Sequence, residues 1–439
     1  MLLYNIRKEL KPMKKFLPLF CIFLFSLGLS AQDKKINYDE ALVPDYILPE
    51  ILLTESGKKI TTQSEWISKR RPEILQLFKD QVYGNIPKGE IKVTSRTISH
   101  KNLALEGKAI RDEVVITLSA GEKKAEFNVL IYLPAEAKGP VPVFMGLNFY
   151  GNHTVSPETD IQMPSAWMRN NQAFGIHDNR SHNGIRGIRE SRWQINKIIN
   201  RGYGLVTLYY GDIDPDFHDG FKNGVHSLFS GEGEERNSLS WGSISAWSWG
   251  LSRVLDYLET DDRIESGKVA LIGHSRLGKT SLWAGATDSR FALVISNDSG
   301  CGGAALSRRA YGETVKIITT AFPHWFCSNF SKYGDNESAL PVDQHMLIAL
   351  MAPRPVYVAS AEEDKWADPK GEFLAAKNAS AVYALFGLEG LPAQKMPGVD
   401  SPSVGTIGYH MRTGGHDVTA YDWEQYLAFA DKHFQSRKD

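Results

Sequence analysis

The stretch "KVALIGHSRLGKTSLWAGA", residues 268–286, constrains this chain more than any other. An apolar run ends at Ile272, and a helix-forming run opens near Gly278. Between them lie Gly273, His274 and Ser275. A tight strand-to-helix turn presents a serine hydroxyl at the carboxyl end of a sheet, as a nucleophile requires. The usual spacing for such a turn is G-x-S-x-G. Here Leu277 holds the place of the second glycine, and Gly278 comes one residue late. Arg276 directly follows the serine, and Lys279 lies in the same first turn. Cations at a helix start oppose the helix dipole, so both want a reason. The plainer readings are a helix-capping Ser275 and two solvated cations.

Strand and helix patterns alternate on both sides of this turn. Residues 64–84 have helical periodicity, and "AIRDEVVITLS" with "KAEFNVLIYLP" reads as a hairpin joined at Ala120-Gly121. "VPVFMGLNF" is a near-continuous apolar run, as expected of a strand buried on both faces. Further strands are expected at 203–211 and 291–300 and in "RPVYVASAEEDKW", with helices near 190–200, at 243–259, in "PVDQHMLIALMAP", at 371–387 and at 421–434. This alternation predicts an α/β fold of the α/β-hydrolase kind: a mostly parallel sheet flanked by helices on both faces, a three-layer sandwich. A single catalytic domain is expected over 61–439, preceded by an arm at 32–60. Polar, irregular insertions are expected near 150–190 and 212–242.

The N-terminus reads as an export signal over residues 1–31, with either Met1 or Met13 as its start. Lys14 and Lys15 precede an apolar stretch from Phe16 to Leu29 that closes on Ser30-Ala31. The alternative is a membrane anchor. Export implies a periplasmic or extracellular protein with no stable membrane insertion once the signal is removed. Cys301 and Cys327 are then either a disulfide or two small buried hydrophobes. Lys plus Arg number 50 and Asp plus Glu 51, with no basic tract, so no nucleic-acid partner is expected. A monomer is expected.

Hydrolases of this class place serine, acid and histidine in that order along the chain. His416 in "TGGHDV" fits the last position. The acid is open between Asp364 in "SAEEDKWADP" and Asp298 in "NDSG", either of which would orient a histidine. Glu362, Glu363 and Asp368 are weaker candidates. His274, His345 and His410 suit packing or hydrogen-bonding roles better.

"GHSRLGK", "NDSGCGGAA", "FPHWFCSNF", "PVDQHMLIALMAPRP" and "GGHD", in this order, resemble the glucuronoyl esterases, carbohydrate esterase family fifteen. "GLNFYGNHT" and "YYGDIDPD" resemble its bacterial members. The resemblance runs from about residue 45 to residue 437. It implies a serine esterase that cleaves the ester between 4-O-methyl-glucuronic acid of glucuronoxylan and lignin alcohols, and glucuronate methyl esters. No metal or organic cofactor is implied. The family pattern puts the nucleophile at Ser275 and the base at His416. It has Glu in fungal members where this chain has the shorter Asp298, which favours Asp364 as the acid. The cysteines that fungal members carry beside the serine and the histidine are here His274 and Asp417. By the same resemblance Arg276 helps hold the developing oxyanion. Lys279 reaches sugar hydroxyls, and Glu313 and Trp366 contact the glucuronoyl ring, Trp366 as an apolar platform. The rivals are an acetyl or feruloyl esterase of plant polysaccharide and a non-catalytic glycan-binding protein on the same fold.

Overall fold

In the computed structural model, which describes residues 36–229 and 235–435, the apolar runs pair into one ten-stranded sheet. The expected export signal, residues 1–31, lies outside the described residues. The strands are β1 (Lys92–Ala104), β2 (Ala109–Ala120), β3 (Lys123–Pro134), β4 (Val141–Asn148) and β5 (Gly204–Tyr209). After them come β6 (Ile264–His274), β7 (Leu293–Asn297), β8 (Val356–Ala361), β9 (Ser403–Val404) and β10 (Ile407–Arg412). Their order across the sheet is β1-β2-β3-β5-β4-β6-β7-β8-β10-β9. From β5 to β10 across the centre, neighbours run parallel. β1 to β3 join antiparallel at one edge, and β9 joins antiparallel at the other.

The central strands are apolar throughout because both faces are covered. In β4, Val143 and Met145 enter one core and Phe144 the other. In β6 the split is Val269 and Leu271 against Ala270 and Ile272, and in β8 it is Val356 and Val358 against Tyr357 and Ala359. Successive side chains of a strand face opposite sides of the sheet. The first core takes helices Ser243–Leu258, Arg276–Thr287, Gln344–Ala349 and Pro369–Leu385; the second takes Ile195–Asn200 and Ala420–Gln435.

Two features depart from the sequence reading. β1 was not expected, because "KVTSRTISHKNLA" is polar and mostly exposed. It is the edge strand, where lysines and hydroxyls discourage pairing with another chain. The helix after Ser275 starts at Arg276 rather than near Gly278, because β6 runs to His274 and one residue makes the whole turn. Elsewhere the expected hairpin is present, with Gly121 at φ 60. The segment 150–190 contains short helical turns and no strand. The arm packs on the domain: Ile51 and Ile60 join the core, and His345 Nε2 donates to Pro49 O at 3.0 Å. Cys301 and Cys327 are free and buried, so the disulfide alternative does not hold. No helix among the described residues is long and apolar enough to cross a membrane.

The loop between β10 and the last helix carries His416, and a buried arginine fixes it. Arg412 Nη2 donates to Gly415 O at 2.8 Å and Asp417 O at 2.6 Å, on either side of the histidine. Asp422 holds Arg412 in turn, accepting from its Nε at 2.8 Å, and also from His410 Nε2 at 2.9 Å. Removing one partner of a buried pair strands the other charge, at a cost of about 3–5 kcal/mol. Asp422→Ala is therefore expected to lower the unfolding free energy by roughly that amount, as read from urea denaturation. A loss under about 1 kcal/mol, the range of exposed ion pairs, would show that Arg412 finds another partner.

Candidate active site

Ser275 has φ 59 and ψ −130, a conformation that side-chain-bearing residues rarely adopt. Its side chain makes no capping hydrogen bond to the helix, which removes the capping reading. A Cβ at Gly273 would lie 1.9 Å from Leu277 O, so the turn closes only over glycine there. A Cβ at Gly278 would meet the Ser299 side chain at 2.9 Å. The late glycine thus serves the close approach of this helix to the loop after β7, while Leu277 packs into the core.

His416 Nδ1 donates to Asp364 Oδ2 at 2.6 Å. That bond leaves Nε2 with the lone pair. The imidazole is 41% exposed, open to an incoming molecule, while Asp364 is buried. Its ring lies 4.4 Å from the ring of His274, the residue before Ser275. His274 is itself neutral: burial and the neighbouring His416 push it well below the usual imidazole range. Its Nδ1 donates to Asn297 Oδ1 at 2.5 Å. Among the other histidines, His410 contacts Asp422 and Tyr357, and His345 contacts Pro49 O.

Asp298, directly after β7, has φ 44 and meets Arg412 Nη2 at 3.5 Å; its Oδ1 is buried without a partner. Burial, with Glu372 and Asp364 nearby, pushes its carboxyl well above the usual range. The acid hydrogen-bonded to the imidazole is thus Asp364, and Asp298 stands behind it. One ligand atom from each of Asp298, Asp364 and His416 lies within 4.8 Å of the others. A cation there would have to displace the His416–Asp364 hydrogen bond and sit close to the Arg412 guanidinium. Glu362 and Glu363 are exposed, and Asp368 caps a helix and pairs with Arg309 at 2.8 Å.

Each cation of the helix start is paired with a carboxylate from another segment. Lys279 is buried, donating to Ser299 O at 2.6 Å and Glu313 Oε2 at 3.1 Å. Glu313 N donates to Trp366 O at 3.0 Å, and Trp366 remains 37% exposed. Lys279, Glu313 and Trp366 therefore form one contiguous group beside the elbow. Arg276 pairs with Asp216, and its guanidinium lies 4.7 Å from the centre of the Trp325 ring. Despite burial, the Asp216 charge keeps Arg276 above its ordinary value.

Sequence reasoning missed Asp216, His324, Trp325 and Glu372. The first three sit in "YYGDIDPD" and "FPHWFCSNF", where Asp216 is one of three aspartates and the lone histidine carries no spacing signal. Glu372 looks like an ordinary helix residue in "GEFLAAKNASAVYALFG". In the structure it accepts from Ser299 N at 2.8 Å, Gly300 N at 3.0 Å and Ser360 Oγ at 2.6 Å. It ties the loop after β7 to β8.

Comparison with known proteins adds to this geometry. A family model described as "Glucuronyl esterase, fungi" matches residues 233–387. A curated relative from an unknown prokaryotic organism, "Carbohydrate esterase MZ0003", is 53% identical over 92% of this chain and 93% of its own. A solved structure described as a promiscuous CE15 esterase from a marine bacterial metagenome is 53% identical, with a TM-score of 0.86 over 91% of this chain and 100% of that one. A glucuronoyl esterase from Solibacter usitatus is 48% identical, with a TM-score of 0.84 over 90% and 100%.

Glu372 gives this region a pH signature. Burial pushes its carboxyl up to about 8 from an ordinary 4.5. A raised folded value means that its contribution to stability is fully present below the unfolded value and is lost as pH rises through the folded one. Glu372→Gln mimics the neutral form. The variant is expected to lose less stability than the parent between about pH 5 and pH 9, in thermal melts. Parallel pH profiles for the two proteins would show that Glu372 is ionised throughout.

Proposed function

The chain belongs to carbohydrate esterase family fifteen, the glucuronoyl esterases, and from that membership we propose that it is an exported serine esterase of glucuronoxylan. Its substrate in this reading is the ester between 4-O-methyl-glucuronic acid and a lignin alcohol. The observation that carries the reading is the His416–Asp364 hydrogen bond of 2.6 Å, set against the His274 ring beside the elbow serine.

In this mechanism Ser275 Oγ attacks the uronate carbonyl, and His416 Nε2 takes its proton. Asp364 holds the Nδ1 proton and stabilises the imidazolium that forms. The carbonyl oxygen becomes an oxyanion held by the Arg276 side chain and by the N–H groups of the first two helical residues, Arg276 and Leu277, since Gly278 N and Lys279 N already donate to Ser275 O. His416 then returns the proton to the departing alcohol, leaving a glucuronoyl ester on Ser275. Water, activated by the same imidazole, releases the acid. Lys279 and Glu313 face the sugar hydroxyls, and Trp366 offers the apolar platform. Asp298 is a neighbour of the triad whose carboxyl burial pushes well above the usual range.

Ser275→Ala and His416→Ala are each expected to cut kcat by about a thousandfold or more on a benzyl ester of glucuronic acid. Circular dichroism should show the fold unchanged. Near-parental turnover in either variant would end the mechanism. Asp364→Asn is expected to cost about a hundredfold or more, through the wrong histidine tautomer, and Asp298→Asn less than about tenfold. The reverse order would move the acid to Asp298. The solved relative described as promiscuous makes acetylated xylan the second substrate to assay. A higher kcat/KM there than on the glucuronate ester would favour the acetyl esterase reading.

A further inference from the structure

An arginine serves an oxyanion only if its guanidinium is already in place when the charge develops. A free arginine side chain has considerable rotamer entropy to lose before it can do so. The surroundings of Arg276 remove that freedom. Phe149 and Phe322 lie 5.6 and 5.7 Å from its guanidinium carbon, and Trp325 lies 4.7 Å away. Trp325 is itself stacked on Phe322, with ring centres 3.8 Å apart. Trp325 Nε1 donates to Asp216 Oδ1 at 2.7 Å, so the ring under the guanidinium and the carboxylate beside it are joined.

Asp216 is 1% exposed and its acceptor capacity is used. Oδ1 also accepts from His324 Nε2 at 2.9 Å; Oδ2 accepts from Tyr210 Oη at 3.0 Å and from Arg276 Nη1. Arg169 Nη2 lies 3.7 Å from Oδ2. Burial alone would raise this carboxyl; the His324 hydrogen bond, the Arg276 charge and Trp325 hold it well below the usual range. With Nη1 taken, Arg276 Nε remains buried without a partner.

We propose that Asp216 is a positioning residue for the reaction: with Trp325 it locks the Arg276 guanidinium in place beside Ser275, where the substrate oxyanion forms. The proposal rests on the reading of Arg276 as an oxyanion donor. Asp216 also neutralises part of the charge that the oxyanion would meet, so geometry and charge work against each other. Geometry wins here, because an untethered guanidinium would turn toward water.

The test is a double-mutant cycle on a benzyl ester of glucuronic acid, using Asp216→Asn, Arg276→Met and both together, with melting temperatures measured alongside. Arg276→Met is expected to lower kcat by about a hundredfold or more, the usual loss for one oxyanion donor. Asp216→Asn should lower kcat by at least about tenfold with KM within about twofold, as for an interaction made only in the transition state. Adding Asp216→Asn to Arg276→Met should then cost almost nothing further. If the two losses multiply, or if Asp216→Asn leaves kcat within about threefold or raises it, Asp216 does not position Arg276. If Arg276→Met itself stays within about threefold, the oxyanion reading has failed first. Should Asp216→Asn not fold, Trp325→Phe keeps an aromatic ring and removes the donor to Asp216. Its loss of kcat should appear in the parent and vanish beside Arg276→Met; equal losses in both backgrounds overturn the proposal.

Discussion

The backbone of Ser275 is the constraint on which the rest of the site depends. A side-chain-bearing residue at φ 59 and ψ −130 costs about 1–3 kcal/mol and persists only where its surroundings over-determine it. Here they do. Ser275 N donates to Asn297 O at 2.9 Å, Gly273 leaves room for Leu277 O, and the following helix is buried along most of its length. The turn brings His274, Ser275 and Arg276 to the carboxyl ends of the parallel strands. The loops after β7, β8 and β10 deliver Asp298, Asp364 and His416 to the same edge.

Buried carboxylates divide according to whether a cation reaches them. Asp216 and Asp422 each accept from an arginine and a histidine, and both are held below the usual range although burial opposes it. Asp298 and Glu372 lack an equally close cation; burial pushes both up, helped at Asp298 by Glu372 and Asp364 and at Glu372 by Asp364. Beside the imidazole this division has a chemical use. A carboxylate serves His416 by stabilising the imidazolium, and a second full charge at the same place would raise the cost of both. The upward push on Asp298 works against a second full charge beside the one that Asp364 offers the histidine.

The parts that could be read in the sequence were those whose signal is local. Central strands covered on both faces appear as unbroken apolar runs, so β4 to β8 were legible. β1 was not, because an exposed edge strand has no buried face to impose alternation. Ser275 stood out through its turn and His416 through its place after two glycines. Asp216 was invisible because its partners are remote: Arg276 lies 60 residues on and His324 108. No spacing rule spans such distances. Only the sheet order, which brings the end of β5 within two strands of β6, puts them together.

That long-range pairing also explains how a helix can begin with two cations. Arg276 and Lys279 oppose the dipole of their own helix, a cost of about 0.3–1 kcal/mol for each exposed charge. Each instead meets a carboxylate from another segment: Arg276 pairs with Asp216, and Lys279 with Glu313 at 3.1 Å. The two pairs share a neighbour in Trp325, whose ring centre lies 4.7 Å from the guanidinium and 6.0 Å from Lys279 Nζ. Both cations thus keep their charge under cover, with donors drawn toward one aromatic face beside the serine. The sequence feature that looked odd for an elbow, a cation directly after the serine and another in the same turn, is accounted for by that folded arrangement. Outside it, the same two residues would weaken the helix they begin.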